Sequence, residues 1–400
     1  MGYGRPWVVE SLVALLFALT VAGYPIAGLL AAGFNLPSQA TSVPFRLLVV
    51  GLATLIALMT MSQCKIRKAV LFLLGFWVSY LLRLVWDAAA TDLQGADLAL
   101  TFYVAVVLVP CIALIVGARS WRDELAAKLL FAIGGVVSFS ALALEWSGLA
   151  AGRSLTEATS RLSTDTLNPI TLGHVAVSVL LAAYCLLDSW KNLGARLILA
   201  AISAASAVCL LQTGSKGPLI SLAAAVVFVF AIGKARPYLL LLLACVSSAG
   251  LFFSQTTIIE RLIYLEQDES TAQRIQLADD ALHQILSNPS YGSAFVELNS
   301  QSYPHNLVIE AMMALGIPLG LLFLSLCLYG LWRAFRLRRL KTTFLALIFV
   351  QYFVAALLSG SLYGSAAFWA SLALLINFAK PSATPRQRSA TIVCSSFRGA

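Results

Sequence analysis

The chain alternates between long apolar runs and short polar connections. Twelve runs are long enough to be read as membrane-spanning helices, near 11–33, 44–62, 69–86, 98–118, 126–147, 169–187, 194–212, 218–233, 237–254, 305–332, 342–359 and 362–379. Two connections are longer than the rest, 148–168 and 255–304. Inside the second, Ser270 to Ser287 repeats apolar residues at helical spacing, with Ile275, Ala278, Leu282, Ile285 and Leu286 on one face. Asn288-Pro289 and Gly292 end that helix. The pattern suits a helix lying on the bilayer surface or on the bundle of spans. The expected fold is an all-α integral membrane protein of about twelve transmembrane helices. One polytopic domain covers 1–379, with the large, partly helical loop 255–304 between spans 9 and 10, and a basic tail follows at 380–400.

Composition agrees. The 400 residues are 60% hydrophobic and 11% charged, which no soluble domain of this length shows. The net charge of +9 would suit nucleic acid if it were gathered on one face. Instead, 20 of the 27 Lys and Arg fall in the connections on one side and at the termini, the distribution that marks the cytoplasm. Both termini are therefore expected in the cytoplasm, and 255–304 outside. No cysteine falls in an outer connection, so neither a disulfide nor a cysteine metal site is expected. The spans carry almost no buried charge, so no acidic proton relay crosses the membrane, as a proton-coupled transporter would usually need.

Seven cations remain on the outer side: Arg46, Arg83, Arg153, Arg161, Lys216, Arg261 and Arg274. They oppose the orientation signal, and an anionic outer ligand would explain them. Arg46 can instead snorkel, and Arg83 can pair with Asp87 one turn on. Four outer segments combine these cations with other polar groups. They are Arg161 to Asn168-Pro169, Thr213-Gly-Ser-Lys216-Gly-Pro, Arg274 with Asn288-Pro-Ser-Tyr-Gly292, and Pro304-His305-Asn306. Pro304 suits the first helical position, which would put His305 in the first turn. The positive end of the helix dipole would then keep the imidazole neutral and able to accept a proton. The plainer reading is a helix-start histidine that hydrogen-bonds nearby backbone. His174 reads as a packing histidine and His283 as a solvated one. Gly316 and Gly320 read as a site of close helix packing, and Pro318 as a kink.

Taken together, these segments resemble the bacterial O-antigen ligase and polymerase superfamily of membrane glycosyltransferases. The resemblance rests on Ser215-Lys216-Gly217 opening a span, then Arg274, Asn288-Pro289, Gly292, His305-Asn306 and Gly316/Gly320, with Arg161 to Asn168-Pro169 before them. It runs from about residue 150 onward. The family usually carries arginine where this chain has Lys216, and lysine meets phosphate as a point charge rather than a fork. The resemblance implies a ligase of the bacterial inner membrane. It would move a polysaccharide from undecaprenyl diphosphate to a sugar hydroxyl of the lipid A core on the periplasmic face. It also implies His305 as general base, with Arg274, Lys216, Arg161, Arg153 and Asn306 on the substrates. Neither a metal nor a cofactor is expected, since no acidic pair accompanies the motifs and the cations supply the charge. A polymerase acting on a second lipid-linked glycan, a protein-glycosylating relative and a lipid-glycan transporter are the alternatives. The single large outer loop favours the ligase.

Overall fold

The computed structural model describes residues 6–64, 66–147, 168–233, 269–337 and 343–378. Every regular element among them is helical. In chain order they are α1 (Trp7–Gly33), α2 (Ser38–Thr60), α3 (Lys68–Ala90), α4 (Ala96–Ser120), α5 (Asp123–Trp146), α6 (Pro169–Leu186) and α7 (Leu193–Gln212). Then follow α8 (Lys216–Ala231), α9 (Glu269–Ser287), α10 (Leu307–Leu337), α11 (Phe344–Ser359) and α12 (Ala366–Asn377). Eight of these are long and apolar enough to cross a membrane by length and composition, while α8, α11 and α12 are shorter apolar helices. The expected span at 237–254 lies outside the described residues, as do Arg153, Arg161 and the start of the outer loop.

Lipid is as apolar as a leucine side chain, so these helices associate by fit and by polar contacts rather than by a hydrophobic drive. Where α3, α10 and α12 meet, Phe76 stacks on Phe323 at 5.0 Å and Trp77 meets Trp369 edge-on at 5.7 Å. Such aromatic pairs contribute about 0.5–1.5 kcal/mol each beyond their buried area. Nearby, the buried Glu310 of α10 accepts from the Tyr80 hydroxyl of α3 at 2.8 Å and from the Leu362 N–H at 2.9 Å. Asn377 joins α12 to the Ile115 carbonyl and accepts from the Arg67 N–H.

At the start of α11, Asp123 accepts from the N–H groups of Phe344 and Leu345 at 2.8 and 3.0 Å. A helix start leaves N–H groups without helical partners, and a carboxylate placed there also meets the positive end of the dipole. Thus α11 is held at its first turn by a side chain 221 positions away.

The loop between α9 and α10 is anchored by backbone contact to a break in α10. Gly316 has φ 81° and ψ 168°, so the helix runs as two pieces either side of it. The freed Ile317 N–H donates to the Pro289 carbonyl at 2.8 Å, and the Met313 carbonyl accepts from Ser293 N–H at 2.9 Å. Gly292, also at positive φ, faces this break so closely that a Cβ on either glycine would lie 2.5 Å from the other segment's backbone. The expectation of close helix packing at Gly316/Gly320 therefore needs correction. Gly316 receives a loop, and a Cβ on Gly320 would meet Met312 of its own helix. Pro318 sits at the start of the second piece, where a missing N–H costs nothing. Arg83 fastens the same loop from α3, donating to the carbonyls of Ser293 at 2.9 Å and Tyr291 at 3.2 Å while paired with Asp87 at 3.4 Å. Asp87 in turn accepts from Phe295 N–H.

On the loop helix α9, the packed face differs from the expected one. Ala281, Gln284 and Ile285 are buried, with Ala281 and Ile285 against Met313 and Gln284 bonded to Val296 and Leu298. Ile275 and Leu286 are 67% and 70% exposed and, with Leu282, form an apolar outer stripe. The polar Gln284 turns inward because two backbone groups need it; the leucines face outward.

Replacing Gly292 or Gly316 with alanine should reveal this anchorage. Each forces an L-residue into a backbone region that glycine alone enters freely, at a cost of about 2 kcal/mol or more. The check is thermal unfolding in detergent together with limited proteolysis between α9 and α10. Both variants should melt earlier and be cut faster there, and unchanged behaviour in both would exclude the anchorage.

Candidate active site

The polar residues singled out in the sequence gather around the last turn of α11. A helix leaves its final carbonyls without helical donors, and here three successive ones are half-buried. The Leu357 carbonyl accepts from the Asn306 amide at 3.2 Å. The Leu358 carbonyl accepts from Arg274 Nη1 at 3.0 Å. The Ser359 backbone meets the His305 ring. Residues from α9 and from the start of α10 are thereby brought to one point.

Asn306, rather than a residue before it, opens α10. Its side-chain oxygen accepts from Val308 N–H at 3.0 Å and Ile309 N–H at 3.2 Å, and its carbonyl accepts from Glu310 N–H. This corrects the expected start at Pro304. His305 precedes the helix, at φ 53°, a left-handed conformation uncommon outside glycine. Its neighbour Asn306 is bonded at both side-chain ends, to Leu357 and to the first turn of α10.

His305 lies edge-on to Tyr303 at 4.4 Å, and Tyr303 in turn meets Tyr363 at 6.0 Å. Its Nδ1 is buried and makes no hydrogen bond. Burial, and then the Arg274 cation, hold the imidazole below its ordinary pKa, with the Ser359 backbone pulling the other way. The dipole argument thus gives way to desolvation and a neighbouring charge, but the outcome stays the same: a ring uncharged at neutral pH. A neutral imidazole keeps one nitrogen able to accept a proton. Tyr303 is pushed up by burial and by its neighbour Glu310, so its phenol stays protonated.

Lys216 is the first residue of α8, which packs along α11. Ser215 precedes it but does not cap the helix; its hydroxyl bonds the Thr213 carbonyl at 3.2 Å instead. A Cβ on Gly217 would lie 3.9 Å from Ser359 Oγ, so the start of α8 and the end of α11 adjoin. On the other side, Pro218 presses against Gly173 of α6, where a Cβ would fall 2.7 Å away. One residue on, the His174 ring reaches across to Ser221 of α8. Among the sequence candidates, His305, Arg274, Asn306 and Lys216 thus share one neighbourhood, and Arg153 and Arg161 lie outside the described residues. Among the described residues no group of three or more His, Cys, Asp or Glu is spaced to hold a metal ion. Sequence reasoning missed Ser359 and the α11 carbonyls, since a main-chain acceptor leaves no mark in residue type.

Residues 199–324 match the family model described as O-Antigen ligase, just under a third of the chain. The match takes in α8, α9, the loop and the first half of α10, which carry Lys216, Arg274, His305 and Asn306. That part of the chain is similar to the O-antigen ligase family. Comparison with curated proteins and with solved structures finds no match. Of the helices around the candidate site, α10 is long and apolar enough to cross a membrane, and α8 and α11 are shorter apolar helices.

If His305 must be uncharged to act, activity should fall on the acid side as the ring gains a proton. Because its pKa is lowered, that fall should lie below the ordinary value of 6.5. Arg274→Gln removes the second cause of the lowering, so the acid limb should move to higher pH, whatever the change in overall rate. A limb that stays in place or moves down would separate Arg274 from His305.

Proposed function

We propose that this protein is an O-antigen ligase of the bacterial inner membrane. It would transfer polysaccharide from undecaprenyl diphosphate to a sugar hydroxyl of the lipid A core at the periplasmic face. The observation that carries the reading is the meeting of a neutral His305 with Arg274 at the end of α11, beside the start of α8 with Lys216. In the transfer, the acceptor oxygen bonds to the anomeric carbon as the bond from that carbon to the diphosphate oxygen breaks. The electron pair leaves with undecaprenyl diphosphate. His305 takes the hydroxyl proton, an effect of about 10²–10⁴-fold. Negative charge grows on the departing diphosphate, and cations fixed there favour the transition state more than the ground state. Arg274 donates from one nitrogen to Leu358, and in this reading its other N–H groups hold phosphate oxygens. Lys216 adds a point charge at a helix start, itself attractive to anions. Arg161 and Arg153 are further ligands in this reading, which needs no metal and leaves both termini in the cytoplasm.

The break in α10 is the one feature that favours a transporter, because broken helices line transport sites. Here the loop backbone of 289–293 fills the break, which supports a structural use. The polymerase remains the nearer alternative, and the products distinguish it. In a deletion strain, loss of a ligase leaves bare core and long polymer on the carrier, whereas loss of a polymerase leaves core capped with single repeats.

That strain also tests the residues. His305→Ala should insert and fold yet restore little or no capped lipopolysaccharide. With purified lipid-linked donor, Lys216→Arg should keep much of the transfer rate, Lys216→Ala should lose about 2 kcal/mol of transition-state stabilisation, and Lys216→Glu should be worse. Capping near the parent level with His305→Ala, or equal rates across the Lys216 series, would remove the residue concerned from the mechanism.

A further inference from the structure

His174 stands one layer behind the site and is held with unusual completeness for a histidine on an apolar helix. Its carbonyl accepts from Ser178 at 2.9 Å and from Gln351 at 2.8 Å, and its ring lies 5.8 Å from that of Tyr352. Nδ1 lies 3.4 Å from Ser221 Oγ. Nε2, however, has no partner, although the residue is only 6% exposed. An unpaired polar atom in such a place is costly, and native structures seldom leave one.

Proton accounting says what that nitrogen wants. Ser221 has one hydroxyl proton, and its shortest contact, 2.7 Å, is to the Gly217 carbonyl one helical turn back. With that proton spent, Ser221 Oγ can only accept from the ring, so Nδ1 carries the hydrogen and Nε2 presents a lone pair. Nε2 therefore calls for a donor, such as an O–H, and in this neutral form has nothing to offer a phosphate oxygen.

The space in front of it is defined by Gly217. A Cβ built there would lie 3.9 Å from His174 Nε2 and 3.9 Å from Ser359 Oγ, both ordinary contact distances. A methyl group would therefore fit at this face of Gly217, which looks onto a ring nitrogen and a hydroxyl. It adjoins Ser359, whose backbone meets His305. Two histidines thus flank one serine.

We propose that the face of Gly217 is a hydroxyl-binding subsite in which His174 Nε2 and Ser359 Oγ hold an O–H group. The deepening rests on the ligase reading above. The hydroxyl comes either from an ordered water that braces Ser359 against His305, making His174 a positioning residue, or from the acceptor sugar itself. The requirement for glycine at 217 follows: its backbone is ordinary helix, where alanine fits and is the better helix former, so a role confined to packing would welcome alanine.

The test is the ¹⁵N spectrum of histidine-labelled, full-length protein in nanodiscs, in which there are three histidines to assign. His174→Gln identifies the His174 signals by their loss. The expected result is the Nδ1–H form, with Nε2 showing the shift of a nitrogen that accepts a hydrogen bond. In Gly217→Ala, Nε2 should move to the position of a bare nitrogen. Acceptance before acceptor glycolipid is added, unchanged by it, assigns the hydroxyl to water. Acceptance that appears on its addition assigns it to the acceptor. An Nε2–H form, or an Nε2 identical in parent and Gly217→Ala, overturns the subsite. Transfer assays on the same samples should show at least a tenfold loss for Gly217→Ala and His174→Phe, with the acceptor KM rising if the hydroxyl is the acceptor's. His174→Gln, which keeps an acceptor oxygen near the Nε2 position, should retain more activity than His174→Phe. A parent that transfers, with Gly217→Ala within twofold of it, sinks the subsite alone; a parent that transfers nothing to lipid A core sinks the ligase reading, while the nitrogen signals still report on the face of Gly217.

Discussion

The carbonyls of Leu357, Leu358 and Ser359 project from a helix end that is half-buried, where water cannot serve all of them freely. Each must find a donor within the protein or lose free energy comparable to a lost hydrogen bond. Asn306 and Arg274 donate to the first two and the Ser359 backbone meets the His305 ring, so groups from two elements far away in sequence converge there. Satisfying a helix end and assembling a site are therefore one event. α11 can do this because Asp123 fixes its opposite end, so its last turn is a firm reference point.

The remainder of the outer architecture holds those donors in reach. Arg274 rides on α9, whose buried Ala281, Gln284 and Ile285 lie against α10 and the loop that follows. That loop is fastened at Gly292 to the break at Gly316 and clamped by Arg83. Glu310, one turn into α10, reaches Tyr80 and the turn after α11 together, tying the helix that follows His305 to the helix end that His305 meets. Positioning by such firm elements is what a proton transfer requires, since the base must come within hydrogen-bond reach of the hydroxyl it serves.

Much of this was legible in the sequence, for stated reasons. Apolar runs must become helices in lipid, so the helices among the described residues fall where hydropathy puts them. The loop helix was visible from its spacing, and the Arg83–Asp87 pair from its i, i+4 separation. The start of α10 was misplaced because Pro304 and Asn306 both carry helix-start signals, and the capping bonds of Asn306 decide between them. The packed face of α9 was misread because two backbone groups draw Gln284 inward, a demand invisible until the loop is folded. The break at Gly316 and the gathering at α11 are contacts of main chain, which residue types do not announce. Glu310 did leave a sign, as an isolated acid in an apolar run, and its meaning came with its partners.

The most direct measurement is an experimental structure of the protein with undecaprenyl diphosphate, the leaving product, bound in a nanodisc. The account predicts the diphosphate between Lys216 and Arg274, with His305 on the side from which the sugar departs. An outer recess of about 710 Å³, bordered by Arg83, Trp86, Tyr291 and Leu319, lies between α3 and α10. Diphosphate bound there, away from Lys216 and Arg274, would contradict the account.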